Sequence, residues 1–297
     1  MAGCGAAASP AAPGAPGIKA VDDSGRTIAL SSVPLRIVAL GNGESDIVAA
    51  LGGHLVGRPA TSYTPANSTI EAAEPIGNTH EVNLEKIALL RPDILFGHFP
   101  MNEKDVPMLE GIGTQVFLTS ANSIRDIERQ IERIGGLLQQ EAKAGELITN
   151  IEEAAAAYQN AKDSGQKRAL LVYGAPGTFM AALPNSLAGN ILETVGGVNI
   201  ASDYPSLQSY PQYAQINAER IVEANPHAIF IMTHGKPEEV KDSFLREMKT
   251  NSSWSSLEAV RENRVTVLPA DLFGTNPGTR IIEAMAIMSE ELSKDAH

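Results

Sequence analysis

Residues 83–96 read NLEKIALLRPDILF, and residues 217–230 read NAERIVEANPHAIF. Aligned without a gap, they share Asn83/Asn217, Glu85/Glu219, Ile87/Ile221, Pro92/Pro226 and Phe96/Phe230. Lys86/Arg220 keeps a positive charge and Ala88/Val222 an apolar side chain. Asparagine is a good helix N-cap. Leu84, Ile87 and Ala88 fall at i, i+3 and i+4 and make one apolar face, with Glu85 on the opposite one. Pro92 ends the helix, and residues 93–97 read as a buried strand. A helix–proline–strand unit that returns 134 positions later marks a chain built as two similar halves.

Working outward, residues 19–122 alternate strands with helices. A strand ends at Leu40, a helix spans 46–51 and closes at Gly52-Gly53, and a second helix and strand cover 106–111 and 115–118. The second half restarts with RALLVYG (168–174), then a helix over 186–195, the repeated unit, a helix over 238–248, a strand over 264–268 and a terminal helix over 279–292. Such alternation predicts α/β lobes with mainly parallel sheets. Between them, residues 123–163 carry Ile124, Ile127, Ile131, Ile134, Leu138, Leu147, Ile148 and Ile151 at helical spacing, with no strand signal. Read as one unbroken helix this segment would span roughly 55–60 Å, more than one lobe is wide. The expected architecture is an N-terminal lobe (19–122), a single bridging helix (123–163) and a C-terminal lobe (164–297), with little lobe movement because a continuous helix resists hinge closure.

The chain has 297 residues, 43% of them hydrophobic, enough for one large or two ordinary domains. A net charge of −12 argues against a nucleic-acid backbone as partner. No run of eighteen apolar residues suggests a bilayer span. The one cysteine, Cys4, lies in MAGCGAAASPAAPGAPG, an Ala/Gly/Pro stretch that reads as an unfolded tether over residues 1–18. Its Ala-Gly-Cys triplet resembles the end of a bacterial lipoprotein signal, in which the cysteine is lipidated. The apolar leader that would precede it is missing, so the expectation is a chain restarted at Met1 after removal of its signal peptide.

The two-lobe plan resembles the helical-backbone (class III) substrate-binding proteins of ABC importers for siderophores, vitamin B12 or haem, over roughly residues 20–295. NLEKIALLRPDILF, GGVNI (196–200) and FGTNPGTRIIEAM (273–285) carry that likeness. Within the class, VGRPATSY (56–63), the APG of YGAPGTFMAA (173–182) and THGKPEEVKDSF (233–244) are most similar to the haem-receptor lipoproteins of Gram-positive bacteria. The resemblance implies an extracytoplasmic, lipid-anchored and monomeric carrier of haem (heme b, iron protoporphyrin IX). It also implies an ABC permease as partner, cell-surface haem donors upstream, and no enzymatic activity. A histidine at the position of His234 binds haem iron in those receptors. The opposite ligand comes from the loop before the first helix–proline–strand unit, which here reads EPIGNTHEVNLE and offers His80. In the importer class, glutamates at the positions of Glu85 and Glu219 pair with permease arginines, a two-point docking that fixes orientation.

Imidazole suits haem iron: it is neutral near pH 7 and borderline-soft, and its second nitrogen can hydrogen-bond outward. Two such ligands fill both axial positions, which fits a carrier better than an oxygenase, and acid should release the haem. The two propionates need donors. Asn42, Gly43 and Ser45 stand between a strand and a helix N-terminus, where free N–H groups favour anions; Tyr63 adds a hydroxyl and Arg280 a cation. Of the other histidines, His98 ends a strand at the edge where ligands gather, His54 reads as structural, and His227 and His297 as bland surface residues. Trp254, the one tryptophan, reads as packing onto its lobe.

Three other readings stay open. A ferric siderophore or corrinoid receptor of the same class would rely on Arg, Tyr and Trp. An α/β enzyme using haem or a nucleotide lacks a Ser-His-Asp signature or a P-loop, and its candidate dinucleotide fingerprint, Gly41-Asn-Gly-Glu-Ser-Asp46, puts Asp46 where a third glycine belongs. A tri-histidine zinc or manganese receptor would need further ligands in the cleft.

Overall fold

The computed structural model describes residues 17–61, 63–65, 67–77, 80–160, 167–175, 178–233, 237–249 and 254–294. Cys4 and His234 lie outside the described residues, as does His297.

The first lobe opens with the antiparallel pair β1 (Ile18–Val21) and β2 (Thr27–Leu30). There follow β3 (Ile37–Ala39), α1 (Asn42–Ala50), β4 (Leu55–Arg58), α2 (Ser68–Glu71), β5 (Glu74–Pro75), α3 (Leu84–Leu90), β6 (Ile94–His98), α4 (Val106–Gly111) and β7 (Gln115–Thr119). Its sheet runs β5-β4-β3-β6-β7, and every neighbouring pair is parallel. The chain steps outward one way from β3 and then returns to fill the other side. That reversal opens a crevice at the carboxyl ends of β3 and β6, the usual place for a ligand in such sheets.

The second lobe comprises β8 (Arg168–Ala175), β9 (Thr178–Ala182), α7 (Leu187–Thr194), β10 (Val198–Asn199), β11 (Tyr213–Gln215), α8 (Ala218–Ala224), β12 (Ala228–Met232), α9 (Pro237–Met248), α10 (Glu258–Arg261), β13 (Val265–Val267), α11 (Ala270–Phe273) and α12 (Ile281–Ser293), where α5 and α6 denote the connection described below. Its sheet runs β11-β9-β8-β12-β13, with β10 beside β8. β8, β10, β12 and β13 are parallel; β9 runs antiparallel to β8, and β11 antiparallel to β9. Sequence periodicity missed these two short strands.

The repeated stretches fold alike. Asn83 and Asn217 each cap a helix, accepting the N–H of Lys86 and of Arg220 at 3.0 Å. Ile87 and Ile221 are fully buried. Each helix ends on a left-handed residue, Arg91 (φ 46°) or Asn225 (φ 42°), directly before its proline. That conformation stops the helix, and the proline keeps it stopped. Phe96 and Phe230 are then fully buried on β6 and β12. The apolar face is narrower than periodicity implies, because Ala88 is exposed and Leu84 only half-buried.

The connection is helical but not one helix. It divides into α5 (Ile124–Leu137) and α6 (Glu141–Asn160), roughly 21 and 30 Å long. Gln139 adopts a left-handed φ of 53° and the Gln140 N–H reaches back to the Gly135 carbonyl at 2.8 Å, the wrap of a Schellman ending. Gly135 lies within α5. It lets α6 approach, since a Cβ there would lie 2.6 Å from that of Ala144. The Ile124 N–H, at the start of α5, donates to Asn190 of α7 (2.9 Å), while Leu138 at its end packs toward Gly53 beside α1. The chain then reverses, and α6 packs on α5, α7 and α12. One apolar cluster contains Ile47, Phe96, Ile127, Ile131, Phe230 and Met285, so the two sheets share a core through this helix pair.

Candidate ligand-binding site

A cavity of about 280 Å³ lies where the two halves meet. From the first lobe, Asn42, Ser45 and Asp46 of α1, Arg58 at the end of β4, and Thr61, Tyr63 and Asn67 beyond it line the cavity. From the second lobe come Asp271, Pro277 and Arg280.

The segment joining α11 to α12 clasps α1 across this gap. The Asn42 side-chain amide donates to Thr275 Oγ1 (3.1 Å). Asp46 Oδ2 accepts from the Thr279 N–H (2.7 Å) and hydroxyl (2.6 Å). Asn276 donates to Gln130 of α5 (2.7 Å). Gly278 turns this segment at φ 64°, and a Cβ there would meet Asp46 Oδ2 at 2.6 Å and the Gly43 carbonyl at 2.8 Å. Burial raises the Asp46 carboxyl above its ordinary value of 3.8, against the lowering effect of the Thr279 hydrogen bonds and the Arg280 charge. Burial and the Asp271 charge push the Tyr63 phenol up to about 12, opposed by Arg280 and a hydrogen bond with Asn42.

The fold has known counterparts. A periplasmic binding protein family model matches residues 37–272. The chain belongs to this periplasmic binding protein family. A curated relative, the high-affinity heme uptake system protein IsdE of Staphylococcus aureus, is 26% identical over 243 residues, 81% of each chain. The crystal structure of S. aureus IsdE complexed with heme superposes with a TM-score of 0.76 at 25% identity, over 88% of this chain and 99% of that one. An ABC transporter substrate-binding protein from Listeria monocytogenes gives 0.76 at 25% identity, over 89% and 100%. The petrobactin-binding protein YclQ of Bacillus subtilis gives 0.80 at 18% identity, over 94% and 99%, which is a likeness of fold. This periplasmic binding protein is therefore a ligand-binding protein of the substrate-binding class that serves ABC transporters.

Four of its five expected propionate donors, Asn42, Ser45, Tyr63 and Arg280, line the cavity. Gly43 does not. It is buried beneath Asn276, which occupies the space a Cβ would need. The anion-binding quality of the α1 N-terminus is also reduced, because the buried Glu44 carboxylate folds back against Gly41 and accepts from Thr119 Oγ1 (2.6 Å). Arg280 reaches the cavity but is engaged on both sides, with Asp271 at 2.9 Å and Glu283 at 2.8 Å. Three charged lining residues were not assigned to the site from the sequence: Arg58, Asp46 as a clasp, and Asp271 as a counter-ion. Arg58 stood inside VGRPATSY; its position at the last residue of β4, over the cavity, was the missing signal.

His80 is exposed, and Gly77 and Val82 on either side of it form an isolated antiparallel bridge. The Ala60 N–H donates to the Gly77 carbonyl at 2.6 Å, which holds Gly77 beside the chain segment lining the cavity. On the other lobe, the residue preceding His234 is Thr233, buried at the end of β12 and packed against Gly274, at the start of the clasp. His98 ends β6 and is not among the cavity-lining residues; its Nδ1 is buried without a hydrogen-bond partner. His54 is structural, its Nδ1 lying 3.2 Å from the Leu35 carbonyl. His227 is structural too, not a bland turn residue: its ring bridges Glu258 (3.1 Å) and the Lys294 carbonyl (3.2 Å).

Glu85 and Glu219 are exposed in the first turns of α3 and α8. The cation next to each is drawn aside. Lys86 pairs with Glu74 (2.6 Å), and Arg220 lies over the Tyr204 ring (4.9 Å) and near Asp203 (3.6 Å).

Proposed function

We propose that the protein is an extracytoplasmic haem-binding lipoprotein that holds haem b between its lobes and delivers it to an ABC permease in the cytoplasmic membrane. His80 and His234 are the axial ligands of the iron, one from each lobe. The observation that carries this reading is Gly77, three residues before His80, whose carbonyl accepts from Ala60 in the segment that lines the inter-lobe cavity. Similarity to IsdE on both sequence and structure supports haem as the cargo.

Two imidazoles saturate the iron, so the carrier holds its cargo without opening a site for oxygen. Asn42, Ser45 and Tyr63 supply polar contacts at the cavity. Lipidation at Cys4 keeps the carrier at the membrane, and Glu85 and Glu219 set its orientation on the permease, where opposite charges speed encounter and fix register.

Titration of the purified protein with haemin tests this. A sharp Soret band of six-coordinate low-spin haem is expected, with His80→Ala and His234→Ala each shifting it toward five-coordinate or high-spin forms. An unchanged spectrum in His234→Ala removes the bis-histidine claim. Ferric hydroxamate, ferric catecholate and corrinoid titrations run beside it; tighter binding of one of these than of haemin assigns the cavity to that ligand instead.

A further inference from the structure

We infer that Arg58 binds a free carboxylate of the ligand, so that the cavity selects ligands presenting one carboxylate at their edge. The inference rests on the inter-lobe cavity being the ligand site. The carboxylate is a propionate if the cargo is haem and a carboxyl group of the chelator if it is a ferric siderophore.

Two cations line the cavity, Arg58 and Arg280, and they are in opposite electrostatic states. Arg280 is enclosed by Asp271 and Glu283, each within 3 Å, so its charge is already balanced and its donors largely spent. Arg58 has no ion pair among the described residues. A guanidinium carries five N–H donors. Arg58 donates one to the Pro59 carbonyl (3.0 Å), while its Nε is buried with no hydrogen-bond partner. Leaving a buried cationic donor unsatisfied is costly, and a planar guanidinium is suited to a carboxylate, which it can grip through two parallel hydrogen bonds.

The acidic groups of the cavity do not oppose this. Asp271 is paired with Arg280, and Asp46 is committed to Thr279. Both bind into the clasp on the second-lobe side, whereas Arg58 ends β4 in the first lobe. What remains is one uncompensated positive charge with hydroxyl and amide neighbours, Thr61, Tyr63 and Asn67. At about 280 Å³ the cavity falls at the low end of small-molecule sites, roughly 300–1,000 Å³. It is sized for the edge of a larger ligand, and its charge suits one carboxylate rather than two.

The experiment compares haemin with haemin dimethyl ester, whose propionates are masked, on the full chain and on Arg58→Ala and Arg58→Lys. Affinity is read from the Soret band, and circular dichroism checks that each variant is folded. We expect Arg58→Ala to weaken haemin at least about tenfold, the loss of one charged hydrogen-bond set, and to leave the ester within twofold. Arg58→Lys should recover part of the haemin affinity. Equal losses for haemin and ester, or no loss for haemin, overturn the inference. If the wild-type chain does not bind haemin, the haem reading fails separately. The same variants are then titrated with a ferric citrate-type chelate and a ferric hydroxamate lacking carboxylates. Loss confined to the former upholds the Arg58 assignment, and indifference refutes it.

Discussion

One carboxylate oxygen of Asp46 accepts both the backbone N–H and the hydroxyl of Thr279, residues 233 positions apart in sequence. This pair, with Asn42–Thr275 and Asn276–Gln130, holds the segment before α12 over the N-terminus of α1 and so defines the second-lobe wall of the cavity. The halves are thus tied at the cleft as well as through the α5–α6 pair, so the expected resistance to lobe movement cannot come from one continuous helix.

The first prediction concerns that tie. Asp46 has its folded carboxyl raised above 3.8 by burial. A raised folded value means that the favourable contribution is complete below the ordinary value and is lost as pH rises through the folded one. Asp46→Asn, which mimics the protonated form and can still accept, should be neutral or stabilising at pH 7. Asp46→Ala should cost about 1–3 kcal/mol by stranding the Thr279 donors. Urea melts of the three proteins at pH 3.5 and pH 7 check this; the Asn variant should show the flatter pH dependence.

Tyr63 should ionise late. Its phenol is pushed up to about 12 from 10.0, so its contribution to stability is intact below pH 10 and lost between about 10 and 12. Absorbance titration near 295 nm should show late-ionising tyrosines, and Tyr63→Phe should remove one of them. Tyr173, also near 12 through burial and its tyrosine neighbours, should remain.

The two asparagine caps should carry equal weight. Asn83→Ala and Asn217→Ala are each expected to cost about 1 kcal/mol, and the double variant close to the sum, because the caps lie on separate lobes. Chemical denaturation with a common m-value gives the measurement.

Trp254 should report on folding rather than on ligand contact. It is buried in the second lobe's own apolar cluster, edge-on to Phe244 with centroids 5.7 Å apart, and is not among the residues lining the cavity. Trp254→Ala is expected to destabilise by about 3–5 kcal/mol, visible as a lowered thermal midpoint, while haemin affinity of the folded fraction stays within twofold.

Charge reversal at the matched glutamates should separate delivery from capture. Glu85→Lys and Glu219→Lys are expected to leave haemin titrations unchanged and to cut haemin uptake by permease-containing membrane vesicles at least about tenfold each. The effect should shrink for wild type as ionic strength rises, as screened charge pairs do. Uptake unaffected by either reversal would remove the docking role.

The matched stretches carry much of the architecture in local sequence. Asn caps, the i, i+3 spacing of Leu84 and Ile87, and the proline before each buried strand are local signals, and they act over a few residues in the folded chain as they do on paper. The same locality explains the misreadings. The α5–α6 reversal rests on a left-handed Gln139 and on Ala144 packing into the space beside Gly135, and neither shows in a helical repeat of isoleucines. The β9 stretch TFMAA shows no apolar–polar alternation, and β11 is only three residues long.

The sequence by itself determined the two-lobe α/β plan, the matched exposed glutamates and four of the residues that line the cavity. Only the tertiary structure decided which charges there are free. It paired Arg280 with Asp271 and Glu283, turned Glu44 onto Gly41, committed Asp46 to Thr279 and left Arg58 with an unfilled donor. Secondary structure follows from neighbours along the chain. The state of a buried charge depends on which distant groups the fold brings within hydrogen-bonding reach while excluding water, and that is set only when the lobes close on one another.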